Sequence, residues 1–268
     1  MSIENFNVKW HLDKYPAIHI LRVKLPDDVV GGINKYIDEQ LIPYDSNFGK
    51  NKGNIEVENS YAEALVGQIR QNKKSAQLDY RLLETFEGKK LKVLLDQCCN
   101  MYLKQIEFPE SLADVFESWS IHSYAGDYNP MHDHGVRTKG GLSMILYLKV
   151  PECIEKIANP NTEPLHLKSS SGNVDGFTYL NWSNINAQLY EMLYPPGEIY
   201  VKPEVGLLMV FPNWLKHAVM PFFGEGERRT LSANANIIMK QYFDFENEPK
   251  EKLQGLLTKL RKSGKEMK

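Results

Sequence analysis

Apolar positions in the first 110 residues recur mainly at helical spacing. One exception is Ala17–Pro26, where β-branched and polar residues alternate and predict a strand. The two aspartates after Pro26 are typical of a helix start and predict a helix that runs to about Leu41. A short helix is predicted over residues 59–74, and a longer one over about 82–106. The longer helix has one apolar stripe, formed by Leu91, Leu94, Leu95, Cys98 and Tyr102.

After Pro109 the helical spacing gives way to short apolar runs separated by Gly, Pro and Asn. This texture predicts antiparallel β structure. The predicted strands cover residues 115–124, 142–150, 176–182, 188–194, 198–202, 207–211, 215–220 and 228–239. Strands without intervening helices cannot form a parallel βαβ sheet, so the pattern favours a double-stranded β-helix, or jelly roll.

The predicted fold class is therefore mainly β with flanking helices. We expect residues 1–110 to form a strand and helical region that packs on the core and covers one sheet. Residues 111–244 would form the jelly-roll core. Residues 245–268 would form a C-terminal helix, in which Leu253, Leu256, Leu257 and Leu260 fall on one face.

Composition and charge exclude several classes of function. Lys and Arg total 32 against 34 Asp and Glu, so we expect neither nucleic-acid nor membrane-surface binding. No apolar run reaches the roughly 18 residues of a membrane span. The first twenty residues lack the basic start and apolar core of a secretory signal, and the three cysteines show no disulfide or zinc spacing. We therefore expect a cytoplasmic protein, whose oligomeric state the sequence does not indicate.

Two histidines stand two residues apart before a predicted strand. In extended chain His132 and His134 project to the same side, while Asp133 points away. A third histidine, His217, lies beside a later strand. A close pair and one distant histidine predict a facial three-ligand metal site with open coordination positions. A surface loop or a hydrogen-bonded polar cluster fits the pair as well.

The last predicted strand has one polar face. Arg228 and Thr230 alternate along it with Arg229 and Leu231. An inward arginine followed two residues later by a hydroxyl forms a receptor for a carboxylate, because the guanidinium binds in forked fashion and the hydroxyl donates one more hydrogen bond. We expect Arg228 to face the interior and hold the carboxylate, whereas replacement of Arg229 should have little effect on that binding. A solvated charge run at 228 and 229 is the alternative.

Two segments together resemble a known family. They are NPMHDHGVRTKGGLSMILYLKVP and VKPEVGLLMVFPNWLKHAVMPFFGEGERRTLSANANI. Their combination is similar to the prolyl-hydroxylase-like iron(II)- and 2-oxoglutarate-dependent oxygenases, over roughly residues 118–238. The resemblance implies Fe(II) bound by His132, His134 and His217. It also implies 2-oxoglutarate whose distal carboxylate is held by Arg228 and Thr230.

Three positions depart from the family pattern. The wider superfamily commonly has a carboxylate as the second ligand, so Asp133 is the rival of His134 for that place. Threonine replaces serine at 230, which keeps the hydroxyl. Met144 replaces a common glycine and either narrows the cavity or points to the other face of the sheet.

The resemblance implies an enzyme, a hydroxylase that couples decarboxylation of 2-oxoglutarate to oxidation of a substrate. The substrate can be a protein residue or a small molecule. Two other classes stay open. A cupin-like metalloenzyme that does not use 2-oxoglutarate would also contain such histidines, but it usually adds a glutamate shortly after the pair, and residues 135–141 contain none. The second is a non-catalytic jelly-roll binding module.

Overall fold

Two antiparallel sheets dominate the computed structural model. It describes residues 8–15, 18–42, 76–108, 110–136, 138–158, 174–182 and 197–239. The strands are β1 Lys9–Tyr15, β2 Ile18–Lys24, β3 Ala76–Asp79, β4 Ser111–Ser123, β5 Asn129–His132, β6 Gly141–Lys149, β7 Thr178–Asn181, β8 Glu198–Val201, β9 Leu207–Pro212, β10 Lys216–Val219 and β11 Arg228–Met239.

The strand order is that of a jelly roll. The larger sheet has seven strands in the order β1-β2-β9-β6-β11-β4-β3, and the smaller has four in the order β5-β10-β7-β8. Every described pairing is antiparallel. Strand β11 lies inside the larger sheet between β6 and β4. One face of β11 therefore contacts the helices and the other faces the four-stranded sheet, so successive residues along β11 lie in different surroundings.

Helices cover the outer face of the seven-stranded sheet. They are α1 Asp27–Tyr36, which continues into a π-helical turn at Ile37–Leu41, and α2 Phe86–Gln105. Thr85 caps α2, since its side chain accepts a hydrogen bond from the backbone N–H of Gly88 at 2.9 Å. The predicted apolar stripe of α2 is buried against the sheet. Each leucine buried in this way contributes about 2 kcal/mol.

A second core fills the space between the two sheets. It contains Tyr147 from β6, Phe211 from β9 and Leu180 from β7. Met144, by contrast, belongs to the helix-covered core, where its sulfur lies 3.4 Å from Cys99 Sγ. The methionine therefore does not narrow the space between the sheets.

The predicted fold class is confirmed, and most elements lie where the pattern put them. Three strands were not predicted, β1, β3 and β5. Strands β1 to β3 join the larger sheet, so residues before 110 contribute strands as well as helices to it. The proposed domain boundaries stay a prediction. The predicted strand at 188–194, the helix at 59–74 and the C-terminal helix lie outside the described residues. Within the described ranges no helix is long and apolar enough to cross a membrane.

Candidate metal centre

Three histidine side chains meet at one end of the four-stranded sheet. His132 ends β5 and lies directly opposite His217 of β10 in the strand register. His134 follows two residues after His132. One potential ligand atom from each histidine lies within 4.8 Å of the others. The ring centroid of His132 is 4.2 Å from that of His217 and 5.2 Å from that of His134.

Backbone hydrogen bonds hold His134 in place beyond the end of β5. Its N–H donates to the carbonyl of Asn213 at 3.0 Å, and the side-chain amide of Asn213 donates to the carbonyl of His134 at 2.7 Å. Asn213 belongs to the turn that links β9 to β10. The same turn therefore leads into the strand that carries His217 and fixes the segment that carries His134.

Each of the three imidazoles has an oxygen acceptor at Nδ1. The acceptor is the carbonyl of Pro130 for His132, at 2.7 Å, and the carbonyl of Leu215 for His217, at 3.0 Å. For His134 it is Asn234 Oδ1, at 2.8 Å. A carbonyl oxygen can only accept, so we assign the proton of each ring to Nδ1. The lone pair of each Nε2 is then directed away from that acceptor, as in histidine ligands oriented by an outer hydrogen bond, and in His132 the side-chain amide of Asn129 lies 3.5 Å from Nε2.

Burial keeps these histidines neutral. It lowers the pKa of His217 to about 3, with a further contribution from the neighbouring His132 and His134. Burial, together with the nearby His132, lowers the pKa of His134 to about 4. The pKa of His132 is also lowered by burial. Neutral imidazoles are the form that binds a metal, so near pH 7 the ligands would not need to lose a proton first.

Asp133 lies outside this cluster. Its residue is exposed, whereas both neighbouring histidines are partly buried. The cluster of potential ligand atoms contains His132, His134 and His217 and does not include the Asp133 carboxylate. The geometry therefore favours His134 over Asp133 for the second position.

Arg228 is buried between the two sheets with no carboxylate partner among the described residues. It is only 1% exposed. Its Nε donates to the carbonyl of Gly176 at 2.9 Å, and its Nη2 donates to Thr178 Oγ1 at 3.3 Å. The hydroxyl of Tyr147 donates to the same Thr178 oxygen at 2.7 Å. Burial lowers the pKa of Arg228. A buried charge without a counter-ion costs several kcal/mol, so this position suits an anionic ligand.

Thr178, which accepts a hydrogen bond from Arg228, lies a short distance along β7 from the level of His217. Leu180 of β7 is opposite His217, and Thr178 is opposite Val219. Thr178 therefore lies two residues along the strand from the level of His217, or about 7 Å. Thr230 is buried on the same face of β11 as Arg228 and is paired with Tyr147 of β6. The structure thus brings the two groups of predicted residues to one space between the sheets.

The alternative of a solvated charge run does not hold for Arg229. It is 2% exposed and forms ion pairs with Asp38 at 2.7 Å and with Glu227 at 2.8 Å. Burial opposes the charge of Glu227, but hydrogen bonds from His122 and Arg229 outweigh it and lower the pKa of that carboxyl to about 2. Alternation along β11 correctly directs Arg229 away from Arg228. That outer face, however, is covered by α1 and is not solvated.

Several residues at the site were not assigned a role by sequence reasoning. Tyr147 and Thr178 lie next to Arg228. A chain of hydrogen bonds runs from His134 through Asn234 to Glu117. The Trp119 ring stacks on His134, with centroids 5.7 Å apart. Alternation along their strands places them on inward faces. Their partners lie far away in the sequence, so no local pattern indicates the contacts.

This jelly roll has three neutral histidines and, between the same two sheets, a buried arginine without an ion pair among the described residues, which are features of a metal- and carboxylate-binding protein. The family model described as "Putative 2OG-Fe(II) oxygenase" matches residues 117–234, which include all three histidines and Arg228. This segment is thus similar to the 2-oxoglutarate- and Fe(II)-dependent oxygenase domain. The match indicates Fe(II) and 2-oxoglutarate as cofactors, and His132, His134 and His217 could bind the metal. No curated protein sequence matches the chain.

Several solved structures are similar to this chain at low sequence identity. The carbocyclase SnoK from nogalamycin biosynthesis, described as non-heme and alpha-ketoglutarate-dependent, has a TM-score of 0.50 at 11% identity, over 81% of this chain and 78% of that chain. A Pseudomonas putida prolyl-4-hydroxylase has a TM-score of 0.43 at 13% identity, over 87% and 94%. A collagen prolyl hydroxylase of Paramecium Bursaria Chlorella virus-1 has 0.44 at 15%, over 83% and 96%. The likeness to SnoK supports the fold and does not define a reaction.

Proposed function

We propose that this protein is a hydroxylase that couples decarboxylation of 2-oxoglutarate to oxidation of a substrate. The observation that carries the proposal is the buried Arg228, which has no ion-pair partner among the described residues and donates to Thr178, about 7 Å along β7 from the level of His217. A five-carbon dicarboxylate has a span suited to reach from one group to the other. Bound Fe(II) and 2-oxoglutarate would supply the oxidising chemistry, with dioxygen as the oxidant. One oxygen atom would enter the substrate as a hydroxyl group and the other would enter succinate, while carbon dioxide leaves.

His132, His134 and His217 are the proposed metal ligands. The donor set fits the metal, since imidazole suits iron and the burial of these rings keeps them unprotonated. Each ring is oriented by its acceptor at Nδ1, and Nε2 of His132 would exchange its 3.5 Å contact with Asn129 Nδ2 for the metal. Three ligands from one side leave other coordination positions open for a co-substrate.

Arg228 and Thr230 are the proposed receptor of the distal carboxylate. A guanidinium has five N–H donors, and two of them are bonded to described residues. The donors that remain can form a forked pair with a carboxylate. The Gly176 carbonyl and Thr178 hydroxyl hold the guanidinium plane, while the Thr230 hydroxyl can donate one more hydrogen bond. The surrounding apolar core, including Phe211 and Leu180, excludes water and strengthens these contacts.

The same geometry argues against the two other classes. A non-catalytic module has no need for an uncompensated buried cation next to three convergent imidazoles. A metalloenzyme without 2-oxoglutarate could use the histidines, but it would leave Arg228 without an anion. The identity of the oxidised substrate, whether a protein residue or a small molecule, and a cytoplasmic location remain expectations.

Calorimetric titration of Mn(II) and then of 2-oxoglutarate into the purified protein tests the proposal. We expect one Mn(II) per chain, and binding of 2-oxoglutarate that depends on the metal. His132→Ala should abolish both. His11→Ala, which alters a histidine whose side chain is 73% exposed, is the matched control and should change neither. Wild-type protein that binds no Mn(II), or that binds Mn(II) but no 2-oxoglutarate, would contradict the proposal.

A further inference from the structure

Glu117 is linked to the histidine cluster through one intervening side chain. It lies on β4 opposite Asn234 of β11, and its Oε1 accepts a hydrogen bond from Asn234 Nδ2 at 2.8 Å. Asn234 Oδ1 accepts in turn from His134 Nδ1 at 2.8 Å. We propose that Glu117 is an outer-sphere carboxylate of the metal site, which acts on His134 through Asn234. The proposal rests on the role of His134 as a metal ligand.

Glu117 determines which way the Asn234 amide points. An ionised carboxylate has only acceptor oxygens, so the NH₂ group of the amide must face Glu117. The amide oxygen is therefore turned to His134, and Ser143 Oγ donates to the same oxygen at 3.0 Å. Because that oxygen can only accept, the proton of His134 resides on Nδ1. The carboxylate thus selects the tautomer that leaves the lone pair of Nε2 for the metal.

This arrangement sets His134 apart from the other two histidines. His132 and His217 bond to backbone carbonyls two residues earlier in the chain, which carry no net charge. Three neutral imidazoles likewise bring no negative charge to a divalent cation. Glu117 lies at the end of a chain of hydrogen bonds and can polarise the Asn234 amide, which makes its oxygen a stronger acceptor and His134 a stronger electron donor. Glu117 therefore supplies, from outside, part of the charge that the ligands lack.

The simpler role would be to fasten β4 to β11. Those strands already pair from Arg228 to Met239, interrupted by one irregularity next to Asn234. One side-chain bond adds little to such a ladder, and a neutral acceptor would serve equally well. The two roles therefore differ in whether the charge of Glu117 matters.

Replacing Glu117 with glutamine separates charge from shape. The glutamine carbonyl can still accept from Asn234 Nδ2, so Glu117→Gln keeps the bond and removes the charge. We expect Mn(II) affinity to fall about tenfold. The Fe(III)/Fe(II) midpoint potential should rise, because the oxidised metal loses more stabilisation than the reduced one. The melting temperature of the metal-free protein should not change. Glu152→Gln, which removes an exposed carboxylate that pairs with Lys156 on the short helix Glu152–Glu155, is the matched control and should leave the Mn(II) affinity and the midpoint potential as in wild type.

A second variant restores the charge one residue closer to the metal. In the double variant Glu117→Gln, Asn234→Asp, the new carboxylate can accept from both His134 Nδ1 and the glutamine amide. We expect the Mn(II) affinity to rise again to the wild-type value or above it. The midpoint potential should fall again to the wild-type value or below it. Wild-type affinity and potential in Glu117→Gln would overturn the proposal, and so would a loss that the double variant does not reverse. A wild-type protein unable to bind Mn(II) would instead contradict the proposed function itself.

Discussion

Arg228 and Arg229 are consecutive residues of β11, yet their guanidinium groups lie on opposite faces of the seven-stranded sheet. Arg228 contacts Gly176 and Thr178 on the side of the four-stranded sheet and has no described carboxylate partner. Arg229 is neutralised by Asp38 and Glu227 on the side of α1. Both are almost fully buried. Arg228 is therefore suited to bind an anionic ligand, whereas Arg229 stabilises the packing of α1 on the sheet.

Arg228→Ala should weaken 2-oxoglutarate binding without affecting Mn(II). Loss of one partner of a buried, hydrogen-bonded charge pair costs about 2–5 kcal/mol, which is roughly 30-fold or more in affinity. Arg228→Lys should recover only part of this, because an ammonium lacks the planar fork. Titration of 2-oxoglutarate into the Mn(II)-loaded variants measures both effects. Equal affinities for wild type and Arg228→Ala would remove the carboxylate assignment.

Arg229→Ala should lower the stability of the protein and leave 2-oxoglutarate affinity nearly unchanged. The substitution leaves Glu227 partly buried without its main cation, and we expect a loss of about 2–3 kcal/mol, below the range for a fully buried pair because Asp38 is 45% exposed. Urea denaturation of the metal-free protein measures the change. Lys156→Ala breaks an exposed pair with Glu152 and should cost under about 1 kcal/mol. Equal effects of the two substitutions would show that burial of the Arg229 pairs contributes nothing.

His134→Ala should lose the metal, whereas Asp133→Ala should retain it. His134 belongs to the cluster of potential ligand atoms, and the exposed Asp133 does not. Removal of one of three ligands should reduce Mn(II) affinity by at least two orders of magnitude, more than an outer-sphere change does. Metal titration of the two variants side by side decides between them. Metal loss confined to Asp133→Ala would mean that the segment after β5 rearranges when it binds metal.

The metal-free protein should lose stability as the pH falls below about 6.5. The pKa of His217 is about 3 in the folded protein against an ordinary value of 6.5, and that of His134 is about 4. Between the folded and unfolded values the unfolded chain binds more protons, so stability rises with pH there, by up to about 1.4 kcal/mol per pH unit for each group. Urea denaturation at pH 7 and pH 5 measures this slope. His217→Gln, which cannot be protonated, should have a shallower slope, and an equal slope would contradict the assignment.

The alternation along β11 shows what the sequence could predict. Its period of two separates the polar residues Arg228 and Thr230 from Arg229 and Leu231, and the structure confirms that separation. The period does not reveal what covers each face. The partner Asp38 of Arg229 is 191 residues away in the chain and sits just beyond α1. A salt bridge of that kind depends on how a helix packs, which no local pattern indicates.

The pair His132 and His134 could be predicted from local sequence spacing, whereas the residues that surround the histidine cluster could not. The spacing of His132 and His134 lies within one short segment, so it can be interpreted without the fold. Strand β5 was missed because it has only four residues, includes Pro130 and is ordered by pairing with β10. Thr178 and Tyr147 come together only when the two sheets pack face to face.

Strand β5 is the terminal strand of the described four-stranded sheet, held by its pairing with β10. The proposed ligands come from both sides of this strand pair, with His132 on β5 and His217 on β10. A bound ion would therefore cross-link the two strands. Separation of β5 from β10 would then require release of the ion. A bound ion would stabilise the paired state of the two strands by RT ln(1 + [L]/Kd), where [L] is the free metal concentration. Metal loading should therefore slow amide hydrogen exchange more in β5 than in β11. The ion would then complete the outermost part of the fold as well as carry the chemistry.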